Sequence, residues 1–274
     1  MNPKITILLA TYNRAHLVGK AIESARAQTF QDWEMVVADD GSTDNTESVI
    51  KDRQKKDPRI IYSKSEVNQG IAVNSNRGLK LARGEYVAIL DDDDYWADSE
   101  KLKIQLEFLE KNKDYVGCGG GLIIIDNYSK ELFRYLKPER DEEIRKKMLF
   151  SNPMANTTTL FRKSSAELVG YYDESTRYSA DRDFWLKMGK IGKLYNFPLY
   201  FAYYLMSNQN TSIAKIRPHL KASLRFMKRY KNDYPSYRLA LLINYLEYGY
   251  SFLPEFFRNP AHKFLARLRR LILG

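Results

Sequence analysis

Asp91, Asp92, Asp93 and Asp94 form an unbroken run directly after the apolar stretch 86–90. Four adjacent carboxylates repel one another unless a cation neutralises them or they turn apart toward solvent. Carboxylate oxygens are hard ligands suited to Mg2+ or Mn2+, ions that keep several waters and bind substrate phosphates. A metal site with a diphosphate companion is therefore one reading; a solvated acidic turn capping the next helix is the other. An EF-hand calcium loop is excluded, because its sixth position needs glycine and counting from Asp91 that position is Trp96. A second polar run, Asp39-Asp40-Gly41-Ser42-Thr43-Asp44, joins acceptor oxygens to a glycine turn and capping residues. It suits a nucleotide base and ribose, and equally an ordinary turn.

These runs need elements to position them. Short apolar stretches rich in β-branched residues, at 5–10, 33–38, 59–63 and 86–90, alternate with amphipathic helix-length stretches at 15–29, 43–56, 71–83 and 100–112. Strands separated by helices predict an α/β fold whose mainly parallel sheet carries helices on both faces and binds ligand beyond the carboxyl ends of its strands. The polar runs fall at those ends: Thr11-Tyr12-Asn13-Arg14 after the first strand, the Asp39 run after the second and the Asp91 run after the fourth. Apolar runs at 116–125, 157–161 and 194–205, around a helical stretch near 182–191, predict added strands and an acceptor-side half.

Composition bounds the rest. The 274 residues include 44% apolar and 28% charged residues, ordinary globular usage. Cys118 is the single cysteine, which rules out an internal disulfide or a cysteine-rich zinc site and favours a cytosolic home. The N-terminus is too short and wrongly flanked for a signal peptide, and no apolar run reaches the roughly 18 residues of a membrane span. Residues 213–274 hold 13 Lys and Arg against 3 Asp and Glu, leaving 31 of each sign in 1–212, so the tail carries the entire net charge of +10. His16, His219 and His262 lie in no cluster with metal-ligand spacing, and each is expected at the surface.

The order Thr11 to Arg14, Asp39 to Asp44, Asn68-Gln69-Gly70 to Gly78, then Gly84-Glu85-Tyr86 leading to Leu90 and Asp91 to Asp94, resembles the inverting family 2 glycosyltransferases of bacterial and archaeal cell-surface glycan synthesis. The resemblance continues through Asn156 to Arg162, Val169 to Glu174 and Asp181 to Leu186, and covers about 4–212. It implies the GT-A fold, with a nucleotide-sugar-binding half over about 1–100, an acceptor-binding half over 101–212 and a basic, aromatic-rich helical tail over 213–274. It also implies a nucleotide-diphosphate sugar donor, usually a uridine one, and a divalent cation, Mn2+ or Mg2+. On that pattern Asp91 and Asp93 hold the metal. Thr11, Tyr12, Arg14, Asp39, Asp40, Asn68, Gly70, Asp91 and Asp92 bind the nucleotide sugar, with Asp39 against the base. Asp181 is the catalytic base, and Asp183 stands two residues further on. Phe184 and Trp185 are expected in the core.

Three positions depart from that pattern. Asn74-Ser75-Asn76 replaces an Ala-Arg-Asn segment, with the arginine displaced to Arg77; Tyr204-Leu205-Met206-Ser207 lacks a late histidine; and Ala180 replaces a glutamate before Asp181. No histidine metal ligand is therefore predicted. In the tail, 261–273 places Phe264, Leu265, Leu268, Leu271 and Ile272 on one helical face with Lys263, Arg267 and Arg270 opposite, an interfacial helix suited to an anionic membrane surface. The stretch 225–257, with Phe226, Arg229, Tyr230, Tyr234, Tyr245, Tyr248, Phe252 and Phe257, fits either the same interface or a helical-hairpin core. The predicted location is the inner face of the cell membrane, with a glycan or lipid-linked acceptor, a homodimer as one possible state and no nucleic acid. Two alternatives are weaker. A nucleotidyltransferase needs a glycine-rich loop with a basic residue near the first strand, and a nucleic-acid or lipid-binding module leaves the aspartates at the strand ends without a role.

Overall fold

A computed structural model describes residues 2–207 and 215–252. In the first half, β1 (Ile5–Thr11), β2 (Trp33–Asp39), β3 (Ile60–Lys64) and β4 (Tyr86–Ile89) alternate with α1 (Val18–Arg26), α2 (Thr46–Lys56) and α3 (Ile71–Leu81). These strands pair in parallel in the order β3-β2-β1-β4. Both faces of the sheet are covered. Leu8, Val36, Ala38, Val87 and Ile89 belong to one apolar cluster, while Ile5, Ile7, Leu9, Met35, Val37 and Ala88 belong to the other. Alternate residues of one strand thus serve opposite cores, which is why these strands read as continuous apolar runs. Buried Glu34 in β2 is satisfied by the Thr6 hydroxyl at 2.8 Å and by the N–H and Nε of Arg83, each at 2.7 Å.

The second half contributes β5 (Tyr95–Trp96), α4 (Lys101–Lys111), β6 (Tyr115–Ile125), β7 (Glu131–Tyr135), α5 (Asp141–Lys147), a 3-10 turn (Asn156–Thr158), β8 (Leu160–Arg162), α6 (Lys163–Leu168), α7 (Ala180–Ile191) and β9 (Lys193–Leu205). The sheet grows to β3-β2-β1-β4-β8-β6-β9-β5, with β7 paired to β6. β8 enters antiparallel between β4 and β6, and β6 and β9 then run parallel to each other. The expected mainly parallel sheet with added strands is therefore present, with β8 inserted antiparallel, and it is extended by β5, β7, α5 and α6, which the apolar pattern does not announce. β7 is exposed at all five positions and offers no alternation to read.

Two further helices, α8 (Ile216–Arg229) and α9 (Tyr237–Tyr250), follow β9. Ala222, Phe226, Met227, Tyr230 and Tyr234 sink into the cluster that contains Phe184 and Trp185, both fully buried as expected. Of the aromatic stretch 225–257, Phe226, Tyr230 and Tyr234 are core, whereas Tyr245 and Phe252 are exposed. Phe257 and the helix expected over 261–273 lie outside the described residues.

Candidate active site

The carboxyl ends of β1, β2 and β4 open on a cavity of about 490 Å³, which collects Thr11, Tyr12, Arg14, Asp40, Asn68, Gly70, Asp91, Asp92, Asp93 and Asp181. Of the residues that the resemblance assigns to donor, metal and base, all but one line this cavity. The exception is Asp39. It is fully buried, one carboxylate oxygen accepts from the Ser42 N–H at 2.8 Å and the other from the Tyr62 hydroxyl at 2.6 Å, and it fixes the β2–α2 turn from behind.

Neighbouring loops lock this rim together. Asn13, in the left-handed region at φ 54°, donates its N–H to the Ser42 hydroxyl at 2.8 Å, and its Oδ1 accepts from the Thr43 N–H at 2.8 Å. Asparagine tolerates that conformation better than most residues. Arg14 donates its N–H to the Thr46 hydroxyl at 2.9 Å and turns its guanidinium toward Asp92, 3.6 Å away. Asp40 spans to the next loop, accepting from the N–H groups of Gln69 at 2.9 Å and Gly70 at 2.8 Å. Gly70 has φ 96°, a backbone shape favoured by glycine, and starts α3. Arg77 does not reach the cavity: its guanidinium serves the Asp39 carbonyl at 2.8 Å and Asn74 Oδ1 at 2.6 Å.

The aspartate run divides by environment. Burial, and then the charge of Asp93, push the Asp91 carboxyl up to about 8 and that of Asp92 up to about 7; burial likewise raises Asp93 and Asp94. Without added positive charge the cluster would hold protons near neutrality, so the site is electrostatically primed for a cation. Asp94 is turned inward, its Oδ1 accepting from the Leu205 N–H at 3.2 Å, which leaves Asp91, Asp92 and Asp93 facing the cavity. Among the described residues no three His, Cys, Asp or Glu side chains converge as a complete metal cage. Two aspartates with phosphate and water as the other ligands is the arrangement that suits Mg2+ or Mn2+.

Asp181 approaches from α7. Its Oδ2 accepts from Asn152 Nδ2 at 2.7 Å, and its charge is felt at Asp91 and at Tyr172. Asp183 points the other way. It is fully buried, and its Oδ1 accepts from the Tyr230 hydroxyl at 2.9 Å and from Arg229 at 3.2 Å. Neighbouring positions on one helix thus separate into a cavity carboxylate and a structural one.

Several site residues escaped the sequence reading. Asn156 donates to Asp91 Oδ1 at 3.2 Å and keeps a buried Oδ1 without a partner. Asn152, Arg177, Lys215 and His219 also came from segments with no chemical pattern of their own. His219 corrects the expectation of surface placement: it lines the cavity, its Nδ1 lies 2.8 Å from the Ser179 hydroxyl and its ring meets Tyr178 edge-on at 5.2 Å. His16 is exposed, and His262 lies outside the described residues.

Known proteins resemble this chain in sequence and in fold. The family model described as "Glycosyl transferase family 2" matches residues 6–170. An uncharacterised glycosyltransferase of Methanocaldococcus jannaschii is 31% identical over 78% of this chain and 75% of its own length. The GalNAc(5)-diNAcBac-PP-undecaprenol β-1,3-glucosyltransferase of Campylobacter jejuni is 32% identical over 82% of this chain and 72% of its own. Among solved structures, S. aureus TarS superposes with a TM-score of 0.67 at 20% identity, covering 91% of this chain; the chain spans 44% of TarS. The mannosyltransferase PcManGT of Pyrobaculum calidifontis, solved with GDP-Man and Mn2+, gives 0.65 at 17% identity over 100% of this chain and 81% of that one. At these identities the structural likeness establishes the fold, which is GT-A.

Proposed function

Because the chain belongs to glycosyl transferase family 2, we propose that it transfers a hexose from a nucleotide-diphosphate donor, a uridine one, to a hydroxyl of a glycan or lipid-linked acceptor with inversion. The observation that carries this reading is the single cavity in which Asp91, Asp92 and Asp93 face Asp181 across the carboxyl ends of β1 and β4. Thr11, Tyr12, Arg14, Asp40, Asn68 and Gly70 line the nucleotide side, and Asp39 supports it by holding the turn beneath.

Asp91 and Asp93 would hold Mn2+ or Mg2+, which when bound neutralises the departing diphosphate. The raised carboxyls of the run and the Mn2+ complex of PcManGT support that assignment. Asp181 takes the proton of the acceptor hydroxyl as its oxygen bonds to the anomeric carbon; the bond from that carbon to the diphosphate oxygen breaks on the opposite face, inverting the centre. Asn152 keeps the Asp181 carboxylate turned toward the acceptor, and Arg14 steadies Asp92. The uridine donor and lipid-linked acceptor are supported by S. aureus TarS 1-349, solved with UDP-GlcNAc, and by the C. jejuni relative named for a PP-undecaprenol acceptor.

The segment 213–274 is proposed to hold this catalytic region, 1–212, at the inner face of the cell membrane. No helix among the described residues is long and apolar enough to cross a membrane. The exposed face of α8 carries Lys221, Arg225 and Lys228, and α9 exposes Leu239, Leu242, Tyr245 and Leu246, a combination that suits an anionic interface. Removing 253–274, which carries the interfacial helix expected over 261–273, is expected to weaken binding to phosphatidylglycerol vesicles; undiminished binding would reject that helix as the anchor.

The function itself is tested with a panel of nucleotide sugars, with Mn2+ or with chelator, on the parent and on Asp93→Ala. Metal-dependent release of nucleoside diphosphate from one donor, lost in Asp93→Ala, is the expected result. Turnover indifferent to chelator and to the substitution would overturn the metal assignment.

A further inference from the structure

The cavity has a second, basic side. Arg177, Lys215 and His219 line it together with Asp181. Arg177 and Asp181 belong to one short stretch of chain running into α7, while Lys215 and His219 stand four residues apart at the start of α8, a spacing that places side chains on one helical face. The two segments are pinned together next to the base by the 2.8 Å contact of Ser179 Oγ with His219 Nδ1, and Asp181 acts electrostatically on His219.

Among the described residues none of the three basic groups is neutralised by an ion pair. Arg14, on the nucleotide side, faces Asp92. Arg177 and Lys215 are exposed and make no ion pair or side-chain hydrogen bond among the described residues. His219 Nε2 is buried with no hydrogen-bond partner. A buried nitrogen without a partner costs free energy unless a ligand supplies one. Two cations and an imidazole converging on a cavity form a phosphate-recognising set.

Resting on the transferase reading above, we propose that Arg177, Lys215 and His219 bind phosphate carried by the acceptor, so that the enzyme selects a diphosphate-linked acceptor rather than an uncharged glycan. The acceptor rather than the donor is assigned because His219 is pinned to Ser179, two residues before the base, and Lys215 shares its helix end, while Arg177 borders both this side and the Asn68–Gly70 loop; the diphosphate side proper carries Arg14 and the Asp91 run. The α8 helix thereby supplies part of the substrate site from beyond the segment that resembles the family.

The test uses the full chain saturated with whichever of UDP or GDP it binds, in the presence of Mn2+, titrated calorimetrically with farnesyl diphosphate and, separately, with farnesol. The parent is expected to bind the diphosphate at least tenfold more tightly than the alcohol. The triple variant Arg177→Gln, Lys215→Gln, His219→Gln should lose that preference while its nucleotide affinity stays within about twofold, which also shows that it folds. Equal binding of diphosphate and alcohol by the parent, or a preference that survives in the variant, overturns the inference. A variant that loses nucleotide affinity instead assigns the cations to the donor and overturns it too. A parent that binds neither nucleotide contradicts the transferase reading itself, a distinguishable failure.

Discussion

Asp181 and Asp183 show what a residue's type leaves unsaid. Two aspartates two positions apart are chemically alike in sequence, yet on a helix they point about 200° apart in projection. Asp181 meets the cavity and Asn152; Asp183, itself fully buried, meets the buried Tyr230 hydroxyl and the inner edge of the exposed Arg229. Asp183→Ala should therefore lower stability by about 1–3 kcal/mol, because it strands the buried Tyr230 hydroxyl, whereas Arg229 is exposed and keeps its ion pair with Asp173; a denaturant midpoint unchanged from the parent would contradict this role. Lys101 supplies a second test. It is fully buried at the start of α4, donates to Gln105 Oε1 at 2.8 Å and lies over Trp96, and burial lowers its amine to about 7. A lysine whose folded value is depressed binds fewer protons folded than unfolded between about pH 7 and its ordinary value of 10.5, so its contribution to stability rises with pH across that window. Lys101→Met should accordingly show its largest gain in Tm over the parent at or below pH 7 and a shrinking gain toward pH 10. A gain that does not vary with pH would refute the assignment.

At the scale of elements, the βα loops do the positioning. Asp40 is the clearest case, because one carboxylate receives two N–H groups of the loop before α3. Asp40→Ala should cost about 2–3 kcal/mol through two lost charge-assisted bonds and should weaken nucleotide binding, measured by calorimetry. Gly41 has φ 78°, and a Cβ there would stand 2.9 Å from the Val67 carbonyl carbon, so Gly41→Ala should strain the same pair of loops. The four parallel strands and their helices were legible because apolar run and turn alternate cleanly, and the strand ends announced the polar runs. The Asp40 bridge was not legible, since it joins positions 29 and 30 residues apart. β7 and β5 were hidden for a different reason: one is wholly exposed and the other is two residues long.

For the whole molecule, charge partition alone suggested a body and a separate tail. Packing nevertheless joins the described start of that tail to the body. The excess cations of α8 sit on its outer face, while Phe226, Met227 and Tyr230 complete the core around Trp185, Arg182 donates to the Ser223 hydroxyl at 2.6 Å and the Tyr234 hydroxyl donates to the Leu186 carbonyl at 2.6 Å. Net charge reports which surfaces face solvent and says little about which helices fold together. His219 was invisible for this reason, because it joins Asp181 only after α8 folds back. A chain ending at residue 207 is thus expected to lose cooperative unfolding by circular dichroism, with the cluster around Trp185 left open; a cooperative transition with the parental midpoint would contradict that dependence.

The central claim, that the cavity is a transferase site with Asp181 as its base, is tested most directly by Asp181→Asn, with acceptor-dependent transfer and nucleotide affinity measured on the same preparation. Asparagine keeps the shape and can still meet Asn152, but it cannot take a proton. The account predicts nucleotide affinity within about twofold of the parent and transfer slower by about 10²- to 10⁴-fold. Transfer at the parental rate would contradict it.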